Sequence, residues 1–126
     1  MEITDQEFND LIIKAMNELP QKYIKGLDNV AILYDDEPTD YQREISKLKG
    51  HSLLLGLYEG IPLTSRGSNY SHVLPDKITL FKNALIAVSN SLENFYENIK
   101  RTLWHEMAHF YGLSHEDMDE RMSRTR

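Results

Sequence analysis

Apolar residues recur at helical spacing near the start of the chain, where Phe8, Leu11, Ile12, Ala15, Met16 and Leu19 form one stripe that ends at Pro20. Thr4-Asp5-Gln6-Glu7 precedes the stripe as a capping box, so the first predicted element is an amphipathic helix. Three short apolar runs read as strands: Asn29 to Tyr34, mostly buried; Ser52 to Tyr58; and Lys77 to Phe81, introduced by Leu74-Pro75-Asp76. Gly56, inside the second run, marks a bulge or a close backbone approach. Between the first two runs, Asp35-Asp36-Glu37-Pro38 reads as a solvated acidic loop, and Thr39 to His51 as a polar loop with room for one helical turn. Glu59-Gly60-Ile61-Pro62 turns the chain, and Thr64 to His72 is an exposed connection placed to flank a cleft. Ala84 to Val88 reads as a short helical segment.

A longer helix follows, with Asn90 as N-cap and Glu93 as its third residue, running from Ser91 or Leu92 to about Tyr111 and stopping at Gly112. Leu92, Phe95, Ile99 and Leu103 share one face of its first half. From Leu103 to Tyr111 every position except His105, Glu106 and His109 is apolar or aromatic. A helix apolar all round is a buried one, so the two histidines and the glutamate are expected in the interior, where unpaired polar groups cost several kcal/mol each. Met118 and Met122, four apart among charged residues, predict a short closing helix.

Composition narrows what these elements do. The 126 residues, 40% apolar and 27% charged, suit one globular domain over residues 1–126. A net charge of −6 argues against a nucleic-acid partner and against an anionic membrane surface; the nearest basic cluster, Lys47, Lys49 and His51, reads as a solvated face. No run approaches the roughly 20 apolar residues of a membrane span, and the acidic start, Met1 to Asp10, lacks the pattern of a secretory signal, so a cytoplasmic location is expected. With no cysteine, any metal must be held by histidine and carboxylate.

His105 and His109 are four apart on the long helix, about 40° of rotation and 6 Å of rise from each other, so their ring nitrogens converge on one ion. Glu106 is turned about 100° from His105, too far to ligate easily but placed to reach a metal-bound water as general base. Gly112 lets the chain leave the helix sharply, and His115 returns a third nitrogen. Three protein ligands leave an open fourth position, the mark of a catalytic zinc site. His51 and His72 have no partner at ligand spacing and read as solvated. Arg66, Tyr58 and Tyr70 are candidate oxyanion donors beside such a cleft, although packing is the commoner role for each.

The segment His105-Glu106-Met107-Ala108-His109-Phe110-Tyr111-Gly112-Leu113-Ser114-His115 resembles the extended zinc signature of the metzincins. More of the chain is similar to the minimal matrix-metalloproteinase-like zincin family, through Leu55 to Thr64, Leu74 to Phe81, the N-terminal helix and the active-site helix. The resemblance implies an α+β, zincin-like fold: a small mixed sheet of three or four strands packed on an N-terminal helix and a buried active-site helix, with a short C-terminal helix. It further implies one Zn2+ ion and a zinc metalloendopeptidase acting on a peptide or protein substrate laid along an exposed sheet edge. Members of that family often carry Asp at the position of His115, which leaves Glu116 and Asp117 as alternative third ligands. Metzincins also place a methionine in a turn beneath the metal, whereas Met118 and Met122 fall in the predicted closing helix. A zinc-stabilised binding module and a zinc hydrolase of non-peptide bonds are the alternative functions; the oligomeric state is left open.

Overall fold

In the computed structural model, which describes residues 1–47, 52–68, 70 and 74–125, the capping box at Thr4 opens α1 (Asp5–Glu18). Thr4 Oγ1 accepts from Glu7 N and Glu7 Oε1 accepts from Thr4 N, both at 3.0 Å. Phe8, Ile12, Ala15 and Leu19 are buried, as the stripe requires. Past Pro20 the chain makes a further helix, α2 (Gln21–Lys25), which the apolar pattern did not indicate.

β1 spans Val30–Asp35 and is half-buried rather than mostly buried, with Leu33 on the solvent side. The polar segment after it holds a formed helix, α3 (Asp40–Ile45), opened by a second capping box between Thr39 and Gln42. β2 is Gly56–Glu59, so Ser52 to Leu55, predicted as strand, lie outside the ladder. A single 3-10 turn covers Leu63–Ser65, followed by β3 (Asp76–Phe81) and α4 (Lys82–Ala87). His51, His72 and Lys49 lie outside the described residues.

The sheet has three strands in the order β1-β3-β2, with β1 parallel and β2 antiparallel to β3. It is therefore mixed, and among the described residues there is no fourth strand. Ile78 and Leu80 of β3 join the main core with Phe8, Phe95, Ile99 and Leu103, while Phe81 joins Leu54 and Ala84 in a smaller cluster. β2 is an edge strand, and α5 (Leu92–Tyr111) packs against it, against β3 and against α1. Gly56 sits at the crossing: a Cβ there would meet Thr102 Cγ2 at 2.7 Å and Leu80 Cδ2 at 3.1 Å, the close approach its position suggested.

The N-cap of α5 is Ser91, whose side chain accepts from Asn94 N at 3.0 Å; Asn90, the expected cap, instead donates its N–H to Asn94 Oδ1. Leu92 is exposed while Phe95, Ile99 and Leu103 are fully buried. Gly112 ends the helix at φ 69°, ψ 28°, the left-handed stop expected of it. The closing helix, α6 (His115–Thr125), has Ser114 at its start, accepting from Asp117 N at 3.1 Å. Met118 is fully buried within α6, so it packs the core from a helix rather than from a turn. Among the described residues no helix is long and apolar enough to cross a membrane.

Candidate metal centre and its cleft

α5 and α6 bring His105, His109 and His115 together, with one nitrogen from each inside a cluster whose mutual separations are no greater than 4.8 Å. The ring centroids of His105 and His115 are 3.5 Å apart, and His109 lies 5.5 Å from the first and 5.3 Å from the second. Glu116 and Asp117, the alternative third ligands, are exposed in the first turn of α6 and take no part in this cluster. The turn at Gly112 is anchored on both sides: Leu113 N donates to Ala108 O at 3.0 Å, and the Tyr111 hydroxyl donates to Tyr23 O at 2.5 Å.

The histidines are not in the interior. From Arg101 to Phe110 only Arg101, His105 and His109 are exposed, a stripe one residue wide at i, i+4 and i+8, and His115 is exposed as well. The expectation of two buried histidines is therefore corrected: the apolar residues around them wrap the remaining faces of α5 and leave the histidine face open. Glu106 alone of the three polar residues is buried, at 7% exposure.

Glu106 Oε1 accepts from Tyr58 N at 2.9 Å, and Oε2 lies 3.9 Å from His105 Nε2. Burial raises the Glu106 pKa to about 7, against the opposing pull of the Tyr58 N–H. His105 is held below its ordinary pKa by loss of solvent and then by His115 and His109, with Asp119 opposing; His109 is lowered by the same loss of solvent and by His115. Both rings thus keep a free lone pair near neutrality, which is what metal ligation demands. Three imidazoles converging beside one carboxylate, with solvent on the remaining side, fit a zinc ion with an open position.

A cleft of about 350 Å³ runs from this face to β2, lined by Gly56, Leu57, Tyr58, His105, Glu106 and His109 among others. Tyr58 contributes its main-chain N–H, while its hydroxyl donates to Asp76 Oδ2 at 2.5 Å. Arg66, with a side chain only 5% exposed, pairs with Asp76 Oδ2 at 2.8 Å and stacks on Tyr70 and Phe110. Arg66 and the Tyr58 hydroxyl are thus both engaged by Asp76 rather than held ready as oxyanion donors, and they build the turn that follows β2. Tyr70 sits against Arg66 with its hydroxyl accepting from Asn29 Nδ2. The Tyr58 N–H was not legible as a site group, because only strand pairing reveals which N–H groups a sheet leaves for a side chain.

The profile of the family described as zincin-like metallopeptidase matches residues 27–124. No curated protein matches the chain. Among solved structures, the chain is similar to a conserved hypothetical protein from Thermo thermophilus, with 21% identity and a TM-score of 0.57 over 94% of this chain and 99% of that one. That likeness concerns the fold, an α+β arrangement shared along nearly the full length of both chains.

Proposed function

The chain belongs to the zincin-like metallopeptidase family, and on that premise we propose that it is a zinc metalloendopeptidase of the minimal, matrix-metalloproteinase-like type, with His105, His109 and His115 holding one ion and Glu106 as general base. The observation that carries this reading is the division of labour on α5: imidazoles on an open stripe, and beside them a single buried carboxylate fixed by a main-chain donor. When bound, zinc supplies a Lewis acid that polarises the scissile carbonyl and lowers the pKa of water.

The chain's own contribution is proton handling and alignment. With Oε1 occupied by Tyr58 N, Glu106 offers Oε2 to the attacking water, takes its proton and delivers it to the leaving amine. Burial, which favours the protonated carboxyl, makes Glu106 a stronger acceptor for the water proton than an exposed carboxylate. Apart from the Tyr58 N–H held by Glu106, the outer edge of β2, free of a further strand among the described residues, offers main-chain groups to an extended peptide, and the exposed histidines leave room for chain on both sides of the scissile bond.

Metal analysis and peptide turnover, run on the parent, Glu106→Gln and His105→Ala, test the assignment together. Glu106→Gln is expected to retain zinc and lose turnover, and His105→Ala to lose both. Turnover by Glu106→Gln equal to the parent's refutes the general-base role. Because the three histidines join α5 to α6, the metal also acts as a staple, so chelation is expected to lower the melting temperature as well as abolish activity. Chelation that melts the domain, in a protein that shows no hydrolysis with metal present, would point to a binding module instead.

A further inference from the structure

Resting on the peptidase reading above, we propose that Arg101 is a specificity residue that pairs with a carboxylate carried by the substrate residue lodged beside the metal centre. A second depression, of about 260 Å³, adjoins the cleft and is lined by Leu53, Leu54, Gly56, Arg101, His105 and Glu106 among others. Leucine side chains and a glycine supply its apolar lining, His105 and Glu106 belong to the metal face, and Arg101 brings a fixed positive charge to the same hollow. A volume of that size takes one side chain, next to the bond that Glu106 serves.

Arg101 is the first member of the exposed stripe whose other members are His105 and His109, one helical turn before the first ligand. Among the described residues no carboxylate lies within ion-pair distance of it. Glu97 and Asp119, the acidic residues that share a hollow with Arg101, line a different depression from this one. A guanidinium beside an apolar pocket selects a ligand with an aliphatic stem and a terminal carboxylate, because the stem removes apolar surface from water while the fork of N–H donors takes up the charge. Two sources carry that chemistry: a glutamate side chain within a peptide, or the α-carboxylate of a substrate's last residue behind an apolar side chain. A glutamine Oε1 can also accept from Arg101, but without a charge to match the guanidinium, so glutamine is disfavoured against glutamate.

The experiment uses the full chain loaded with zinc and one peptide scaffold with a single varied position. Leu, Gln and Glu versions carry an amidated C-terminus, and a further version ends in a free-acid Leu at that position. Turnover is followed with the cleaved bond located by mass spectrometry, and binding of the same peptides to the Glu106→Gln protein is measured by calorimetry. A carboxylate-bearing peptide, either the Glu version or the free acid, is expected to exceed its neutral counterpart in kcat/KM and in affinity by roughly two- to fivefold, as suits an exposed guanidinium. Arg101→Gln should remove that advantage while leaving the Leu and Gln amides unchanged, and Arg101→Lys should restore part of it. Preference for the Glu peptide assigns the charge to a side chain; preference for the free acid assigns it to the chain end. Equal behaviour of charged and neutral peptides, or an equal loss for all of them in Arg101→Gln, overturns the proposal. Should no peptide be hydrolysed, it is the peptidase reading that has failed, and the binding comparison still decides the role of Arg101.

Discussion

Replacing Gly112 by alanine tests how the third histidine is held. Gly112 has φ 69°, a left-handed conformation that costs an L-residue roughly 1–2 kcal/mol. A Cβ there would also strike Thr64, coming within 3.0 Å of Cγ2 and closer still to Oγ1. Both residues are exposed, so rotation of the Thr64 side chain holds the steric part near the low end of the range for overpacking, about 1 kcal/mol. Alanine loses less backbone freedom on folding than glycine, which returns about 0.4–1 kcal/mol. The net expectation for Gly112→Ala is a loss of about 1–2.5 kcal/mol, read as a lower urea midpoint at unchanged slope.

Thr64→Ala divides the two contributions, because it removes Oγ1 and Cγ2 while leaving the strained backbone in place. In the double variant the steric part, about 1 kcal/mol, should be recovered and the conformational part should remain. Since Gly112 lies between His109 and His115, any relaxation that accommodates the new methyl moves one ligand against the others, so zinc affinity should fall alongside stability. A loss below about 0.5 kcal/mol, or a Thr64→Ala background that returns nothing, would refute the reasoning.

Asp76→Ala should cost about 2–3 kcal/mol in chemical denaturation, because it removes the buried partner of Arg66, which keeps Ile61 O and Asp28, and frees the Tyr58 hydroxyl and Ile61 N together; a loss under about 1 kcal/mol would show the cluster is not structural. In metal-free protein, Glu106 has a folded pKa raised from 4.5 to about 7, so the folded state holds the proton more tightly than the unfolded chain and stability falls as pH rises through that window. Glu106→Gln lacks this penalty: it should exceed the metal-free parent in stability by on the order of 2 kcal/mol near pH 8, with the gap closing below about pH 4.5, and thermal melts at both pH values check it. Zinc occupancy should decline on acidification below about pH 6, since a ligating imidazole must be neutral, and stoichiometric zinc after dialysis near a pH of about 4.5 would contradict the ligand set.

Much of the fold is legible wherever local chemistry decides it. α1 follows from its capping box and stripe, and the end of α5 from Gly112. The extent of β2 is different in kind: Ser52 to Leu55 are as apolar as a strand, but the ladder with β3 stops at the Gly56–Leu80 pair, and only Phe81 N reaching Leu55 O extends it. Which apolar run pairs with which, and in what register, is a tertiary outcome that periodicity cannot express. The cap of α5 is a narrower case. Asn90 and Ser91 are both good N-caps, and both engage Asn94, one through its N–H and the other through its hydroxyl oxygen, so the choice rests on a backbone turn rather than on residue type.

At the metal centre, composition and burial part company. The apolar content of Leu103 to Tyr111 states how much of a helix surface wants to leave water, but it does not say which strip stays in water. What distinguishes the real arrangement is phase. Arg101, His105 and His109 recur every four residues, which keeps them within about 80° of one another on the helix, and every residue between them is buried. Glu106, one step off that phase, is carried to β2, where a main-chain N–H receives it. The same one-residue offset therefore leaves the histidines on the open face and withdraws Glu106 from water, which raises the pKa of its carboxyl, as the proposed roles require. Moving Glu106 into the exposed phase would leave the histidine cluster intact and return the carboxylate to water. The spacing of the motif on the helix, more than its residue types, is what sets an open histidine face beside a buried carboxylate.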